Sequence, residues 1–368
     1  MGRAAVCAQV RNKIGHLTLS RPEALNALNL AMVRQVSGQL RAWAADPEVQ
    51  AVVVRGSGTK GFCAGGDVRA LHDSFKAGDG KYLAFFEQEY ALDQYLYAYP
   101  KPVLALLDGL VLGGGMGLGQ AAALRVVTGR TRMAMPEVGI GYFPDVGASH
   151  FLPRLPQAFG MYLGLTGRQV GAADALYLGL ADQHLSQDAM AELDRCLDTM
   201  AWTTLPHEAL RTLLATLASQ PEAPAELPAL GEPIQRVFSQ PDIHALRKAL
   251  DREVAWPQWA AATAALLDSR SPLALCVTFE LLRRGGELPL SACFALELHL
   301  DRQWFAEGDI IEGVRALLVD KDKQPRWRYP SLAEVPAQRV QAFFSGYKTT
   351  AAQQRRDNKR DSSCMTSN

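Results

Sequence analysis

The chain has 368 residues, 48% of them hydrophobic and 21% charged, an ordinary globular balance and long enough for about two domains. Lys plus Arg and Asp plus Glu number 38 each, so the formal net charge is zero. That neutrality argues against bulk attraction to nucleic acid or to an anionic membrane, and neither is an expected partner.

At the N-terminus, Met1 to Lys13 lacks the continuous apolar core of a secretory leader. The six cysteines, Cys7, Cys63, Cys196, Cys276, Cys293 and Cys364, include no CxxC pair and read as free thiols of a reducing compartment. The expected location is therefore cytoplasmic. His16 to Ser20 alternates as a strand bounded by Gly15 and by Arg21-Pro22. Leu30 to Ala45 has apolar residues at helical spacing, with Asn29 as N-cap and Asp46-Pro47 as the stop. Val49 to Val54 is a β-branched run, the mark of a buried strand. The glycine-rich loop GSGTKGFCAGGD, residues 56–67, then feeds a further helical pattern.

Pro102 to Leu107 reads as a second buried strand, followed by Gly113-Gly114-Gly115 and a small-residue helix from Met116 to Leu124. The apolar stretch Val103 to Val127 is broken by Asp108, several glycines and Arg125, so a buried strand and helix explain it better than a membrane span. Val126 to Thr128 is a third strand. The first half thus alternates strand and helix, the α/β pattern. Beyond it, helices are expected over 156–165 and 172–178, a linker or rigid connection over 221–233, and helical periodicity over 234–284 and 291–306. The polar, aromatic-poor tail 349–368 is expected to be disordered.

Several motifs fail. GGGMGLGQ does not meet the GxGxxG register, no Walker lysine follows a glycine-rich loop, and no HExxH occurs among seven histidines. Gly147-Ala148-Ser149-His150-Phe151 approaches a nucleophile elbow, but Phe151 replaces its final glycine.

Two features carry chemistry. The loops Phe62-Cys63-Ala64-Gly65-Gly66-Asp67 and Gly113-Gly114-Gly115 each follow a strand and precede a helix. Backbone N–H groups at a helix start are unpaired and partially positive, and small residues let a carbonyl oxygen approach them. Glycines after strands usually mark tight turns or close packing points, and that reading stays open. The second feature is the pair Glu137 and Asp145 on a largely apolar segment. Pro136, Gly139, Gly141, Pro144 and Gly147 forbid a continuous helix there, so repeated turns allow both acids into one cleft. Apolar surroundings raise a carboxyl pKa toward neutrality, where it serves as acid or base. On the residues alone, an ion pair of Glu137 with Arg130 or Arg132, and a turn role for Asp145, stay open.

LTLSRPEALNALN at 17–29, FCAGGD at 62–67, KPVLALLDGLVLGGGMGLG at 101–119, MPEVGIGYFPDVG at 135–147 and LTGRQVGAADALYLGLAD at 165–182 together resemble the enoyl-CoA hydratase/isomerase (crotonase) superfamily, in its order. The resemblance implies an α/β spiral of strand-strand-helix turns over residues 1–200 that holds a coenzyme A thioester, then a mainly helical region over 201–348. It places an oxyanion hole at the backbone N–H groups of Ala64 and Gly114, with Gly65, Gly66, Asp67 and Gly113 around the substrate.

Within the superfamily the pattern is most similar to the 3-hydroxyisobutyryl-CoA hydrolases. Gly117 stands where a typical hydratase has its first glutamate, Glu137 keeps the second acid position, and Asp145 in FPDVG matches an acid of the hydrolases. Glu89 in FFEQEY matches a substrate-contacting position, and EGVRALLVDKDKQPRW at 312–327 extends the likeness. The implied reaction is hydrolysis of a short 3-hydroxyacyl-CoA in valine breakdown, with Glu137 and Asp145 catalytic. The implied partner is a small acyl-CoA, with no metal and no cofactor beyond the coenzyme A of the substrate. A homo-oligomer, common in the family, is left open, as is the alternative of a hydratase, an isomerase or a non-catalytic CoA-ester binder.

Overall fold

A computed structural model describes residues 4–347. The disorder expected over 349–368 lies outside the described residues, as does Cys364. The other five cysteines are free thiols.

The chain opens with a hairpin. Strands β1 (Val6–Arg11) and β2 (Ile14–Leu19) pair antiparallel. Asn12 and Lys13 join them with φ of 44° and 62°, the left-handed pair that a two-residue turn of this hand requires. The remaining strands come as long-short couples: β3 (Ala51–Gly56) with β4 (Gly61–Cys63), β5 (Val103–Leu107) with β6 (Leu110–Leu112), and β7 (Leu124–Val127) with β8 (Arg132–Ala134). The short β9 (Gln183–His184) closes the series. Helices α1 (Leu30–Ala45), α2 (Lys81–Tyr97) and α3 (Gly114–Gln120) follow β2, β4 and β6 in the chain.

The long strands form one sheet, ordered β1-β2-β3-β5-β7-β9 and parallel after the hairpin; the short ones form a second, parallel sheet β4-β6-β8. The chain turns a sharp corner within each couple. At Gly109, φ is +77° and a Cβ would stand 2.6 Å from the Lys60 carbonyl oxygen, so the corner between β5 and β6 needs glycine. The β-branched run of β3 is buried because both of its sheet faces are covered.

Helices α4 (Gln187–Thr199) and α5 (Pro206–Leu217) cover one face of the large sheet: Leu193, Leu197, Leu210 and Leu214 pack with Ile14, Val53, Leu104, Leu106 and Val126. α1 forms where its apolar spacing predicts, and the Asn29 side chain accepts a hydrogen bond from the Met32 N–H at 2.9 Å. The helix expected over 116–124 starts at Gly114 and stops at Gln120, because Leu124 already belongs to β7. The 221–233 stretch is only partly a connection. Leu227 is buried with its N–H held by Asp174 at 2.9 Å, and a helix starts at Gly231.

By packing, the described chain forms two compact units that interleave in sequence. One comprises the chain up to Asp67, Ala91–Ala134 and Gln169–Ala229; the other comprises Val68–Tyr90, Met135–Arg168 and the chain from Leu230. The first holds both sheets. The second is helical and includes α6 (Leu290–Glu307), which buries Glu297, Asp301 and Trp304. Aromatic rings fill its interior: Tyr142 stacks on Phe143, and Trp304 meets Phe143 edge-on while its indole N–H donates to the Gly141 carbonyl at 2.9 Å.

Candidate active site

In the first unit, the loops after β4 and β6 press directly on each other. A Cβ on Gly115 would stand 2.3 Å from the Cys63 carbonyl oxygen, and one on Gly65 would stand 3.4 Å from the Gly114 nitrogen. Gly65 also has φ of +94°, so glycine there serves both conformation and clearance.

The hydrogen bonds of this pair of loops decide which donors remain. The Ala64 N–H donates to the Leu25 carbonyl at 3.0 Å, the Asp67 N–H to Leu28 at 2.8 Å, and the Gly113 N–H to Ala134 at 3.3 Å. Ala64 is therefore not an available oxyanion donor, and the expectation that placed one there is corrected. Among the described residues, the N–H groups of Gly65, Gly66, Gly114 and Gly115 meet no acceptor. Gly114 is the first residue of α3 and has no carbonyl in its own helix to bond. The Asp67 carboxylate is engaged by the Arg21 guanidinium at 2.9 Å, which braces the loop.

The acids lie in the second unit. Glu137 opens a short 3-10 helix, Glu137–Ile140, three residues beyond the end of β8. It is buried, and its Oε2 has no hydrogen-bond partner. The arginines proposed as its structural partners are engaged elsewhere, Arg130 with Asp108 and Arg132 with backbone carbonyls of its own turn. Burial, with the charge of Asp145 adding to it, holds the Glu137 carboxyl well above the ordinary range.

Asp145 is also buried and accepts from the Tyr90 hydroxyl at 2.7 Å and from the Tyr142 hydroxyl at 3.4 Å. Burial raises its pKa to about 7 against these two hydrogen bonds, which pull the other way. Glu89 is buried on α2, one residue before Tyr90.

Four further residues complete this interior. The Tyr142 hydroxyl donates to Asp301 Oδ1 in a short hydrogen bond. Glu297, one turn before Asp301 on α6, accepts from the Gly147 N–H at 2.8 Å and the Ser149 N–H at 3.0 Å, and from the Ser149 hydroxyl. Ser149 is thus a donor to a buried acid and not a nucleophile. Burial raises Glu297 to about 8 and Asp301 well above the ordinary range. The sequence reading missed Tyr90, Tyr142, Glu297 and Asp301. Their one local signal is the i, i+4 spacing of two acids inside the apolar run AlaLeuGluLeuHisLeuAsp that ends at Asp301.

The enoyl-CoA hydratase/isomerase family profile matches residues 14–344. The chain belongs to this family. Among curated family members it is 37% identical, over 90% of its length and 87% of theirs, to a mitochondrial 3-hydroxyisobutyryl-CoA hydrolase of Danio rerio. It is 33% identical to the Homo sapiens protein of the same name, over 90% and 86%. Among solved family structures it resembles a carnitinyl-CoA dehydratase from Mycobacterium thermoresistibile, 36% identical, TM-score 0.85, covering 94% of this chain and 98% of that one. It also resembles an enoyl-CoA hydratase from Rhodobacter sphaeroides, 35% identical, TM-score 0.82, covering 93% and 97%.

These relatives correct the expected cytoplasmic location, since the curated proteins are named as mitochondrial. The physical reason lies in the signal used. An apolar core is the mark of a secretory leader, whereas mitochondrial leaders are amphipathic and Arg-rich. Among the described residues no helix is long and apolar enough to cross a membrane.

Proposed function

We propose that the protein hydrolyses a short-chain 3-hydroxyacyl-CoA, with 3-hydroxyisobutyryl-CoA the first candidate because the curated relatives bear that name. The observation that carries the reading is Glu137: a buried carboxylate oxygen with no protein partner, coupled to Asp145. At position 117, where the family's hydratases hold a further glutamate, this chain has glycine inside α3. One carboxylate pair thus remains, and it suits the activation of one water.

In the proposed reaction the thioester oxygen accepts from the Gly66 and Gly114 N–H groups, one unspent donor from each of the paired loops. Each such donor is worth about 2.7–4 kcal/mol to a developing oxyanion. Glu137 takes a proton from water as the water oxygen bonds to the carbonyl carbon. The C–S bond then breaks, the carbonyl re-forms, and the thiolate takes up the proton from Glu137, directly or through Asp145. Carboxylic acid and thiol are the products, the acid then loses its proton to solvent, and the balance needs no cofactor. In a second route the Glu137 carboxylate attacks first, expels the thiolate and forms an anhydride, which water then opens. Valine degradation, in which 3-hydroxyisobutyrate arises, is the metabolic place this proposal gives the enzyme.

The test is thiol release over a panel of short acyl-CoA esters with and without a 3-hydroxyl. Release from 3-hydroxyisobutyryl-CoA, abolished in Glu137→Gln with ester binding retained, is expected. The names of the two solved relatives favour a second reading, addition or loss of water at an unsaturated acyl chain. Conversion of crotonyl-CoA to its 3-hydroxy ester without thiol release would establish that reading and overturn hydrolysis.

A further inference from the structure

Asp145, Asp301, Tyr90 and Tyr142 form a connected set in the second unit. Tyr90 donates to Asp145 at 2.7 Å, Tyr142 donates to Asp301 and lies 3.4 Å from Asp145, and Tyr90 also hydrogen-bonds Asp301. Both acids are buried, Asp301 completely, and its Oδ2 has no partner. The charged or titratable groups that bear on the set are Glu137, Glu297 and the two tyrosines themselves. Among the described residues, no lysine or arginine is one of them. Two phenolic protons are therefore divided between two carboxyl groups with no cation to settle the division.

We infer that Asp301 is a positioning residue for Asp145, acting through the Tyr90 and Tyr142 hydroxyls. By drawing the Tyr142 proton to itself, Asp301 leaves Asp145 with one strong donor instead of two. Asp145 consequently keeps the basicity that a proton carrier near neutral pH needs. The same two hydroxyls fix the orientation of the Asp145 carboxyl. Asp301 is 156 positions away in the chain, touches no proposed reacting atom, and acts only through the phenols.

The inference deepens the hydrolase reading and rests on it for the meaning of Asp145, but its test does not use turnover. Asp145 is titrated by carboxyl carbon NMR in protein labelled at aspartate, with Asp145→Asn assigning the resonance. In Asp301→Asn one of the two oxygens becomes an amide nitrogen, which cannot accept the Tyr142 proton, and that proton passes to Asp145. The Asp145 midpoint should fall by about one pH unit, the scale of one hydrogen bond to a charged acceptor. In a background of Tyr90→Phe with Tyr142→Phe, the Asp301→Asn shift should vanish. An equal shift in both backgrounds would show direct charge repulsion and overturn the inference, as would no shift in either. Tyr142→Phe loses a single hydroxyl from a retained ring, and its own Asp301 comparison repeats the test should the double background fail to fold: the shift should then shrink, and an undiminished one overturns the inference. If the titrations behave as stated and no thioester is hydrolysed, the hydrolase reading fails while the coupling stands.

Discussion

The Tyr90 hydroxyl donates to Asp145 Oδ2 at 2.7 Å, and both side chains are buried. This bond is the main support for the ionised form of Asp145, whose pKa burial nevertheless raises to about 7. Tyr90→Phe removes a hydrogen bond to a charged acceptor, worth about 1.5–3 kcal/mol. The Asp145 carboxyl then holds its proton to higher pH. We expect turnover at neutral pH to fall by about tenfold or more and to recover as pH rises. A pH profile of thiol release checks this; an unchanged profile would show that Asp145 does not act in ionised form.

Stability should also depend on pH in an unusual direction. Asp145 rises from 3.8 to about 7 and Glu297 from 4.5 to about 8 on folding, and Glu137 and Asp301 shift the same way. Between about pH 4 and 8 the folded protein therefore binds more protons than the unfolded chain, and stability falls as pH rises through this window. Below it, both states are protonated and the contribution is complete. We expect a higher Tm at pH 5.5 than at pH 8, and a flatter dependence in Asp145→Asn. Thermal unfolding across the window measures both, and a Tm that climbs toward pH 8 would contradict the burial of these acids.

Some of this was legible in the sequence and some was not. The α1 helix was, because Asn29, the apolar spacing and Asp46-Pro47 are local signals. β1 was not, because its turn uses Asn12 and Lys13 at positive φ where a glycine usually marks such a hairpin. Glycine-rich loops announced unspent backbone donors, yet which N–H is unspent depends on a bond from Ala64 to Leu25, almost forty residues earlier. Hence Ala64 was named although its N–H is spent, while Gly66 keeps its own free. Glu137 and Asp145 were found together, but their companions were not. Tyr142 meets Asp301 and Ser149 meets Glu297 across more than 140 positions, and no periodicity reports such a pairing.

The two loops of the first unit offer a separate test of the oxyanion proposal. A methyl group at Gly115 would meet the Cys63 carbonyl at 2.3 Å and force the loops apart. Gly115→Ala should cost about 1–3 kcal/mol of stability as an overpacked contact. Turnover should fall more steeply than stability does, because the Gly66 and Gly114 donors must meet one oxygen. Comparing kcat with the unfolding free energy separates the two effects, and a variant with normal kcat would remove the paired loops from the mechanism.

Glu297 bears on the site through the backbone. Val146 has φ of +52° and Gly147 +85°, so the residue after Asp145 is a β-branched side chain in the left-handed region. Such a conformation costs about 1–3 kcal/mol and persists only where neighbours enforce it. Glu297 does so by accepting from the Gly147 and Ser149 N–H groups and from the Ser149 hydroxyl. In Glu297→Gln one carboxylate oxygen becomes an amide nitrogen, which sets a donor against at least one of these donors. We expect a loss of about 1–3 kcal/mol in stability. We also expect a large fall in kcat with a small change in KM, because the turn that carries Asp145 relaxes while the loops of the first unit are untouched. Val146→Gly in the Glu297→Gln background relieves the strain without restoring the three hydrogen bonds. It should therefore recover stability but not kcat, since a relaxed turn no longer aims Asp145. Recovery of both by that second change would show that Glu297 only offsets strain and has no part in directing the acid.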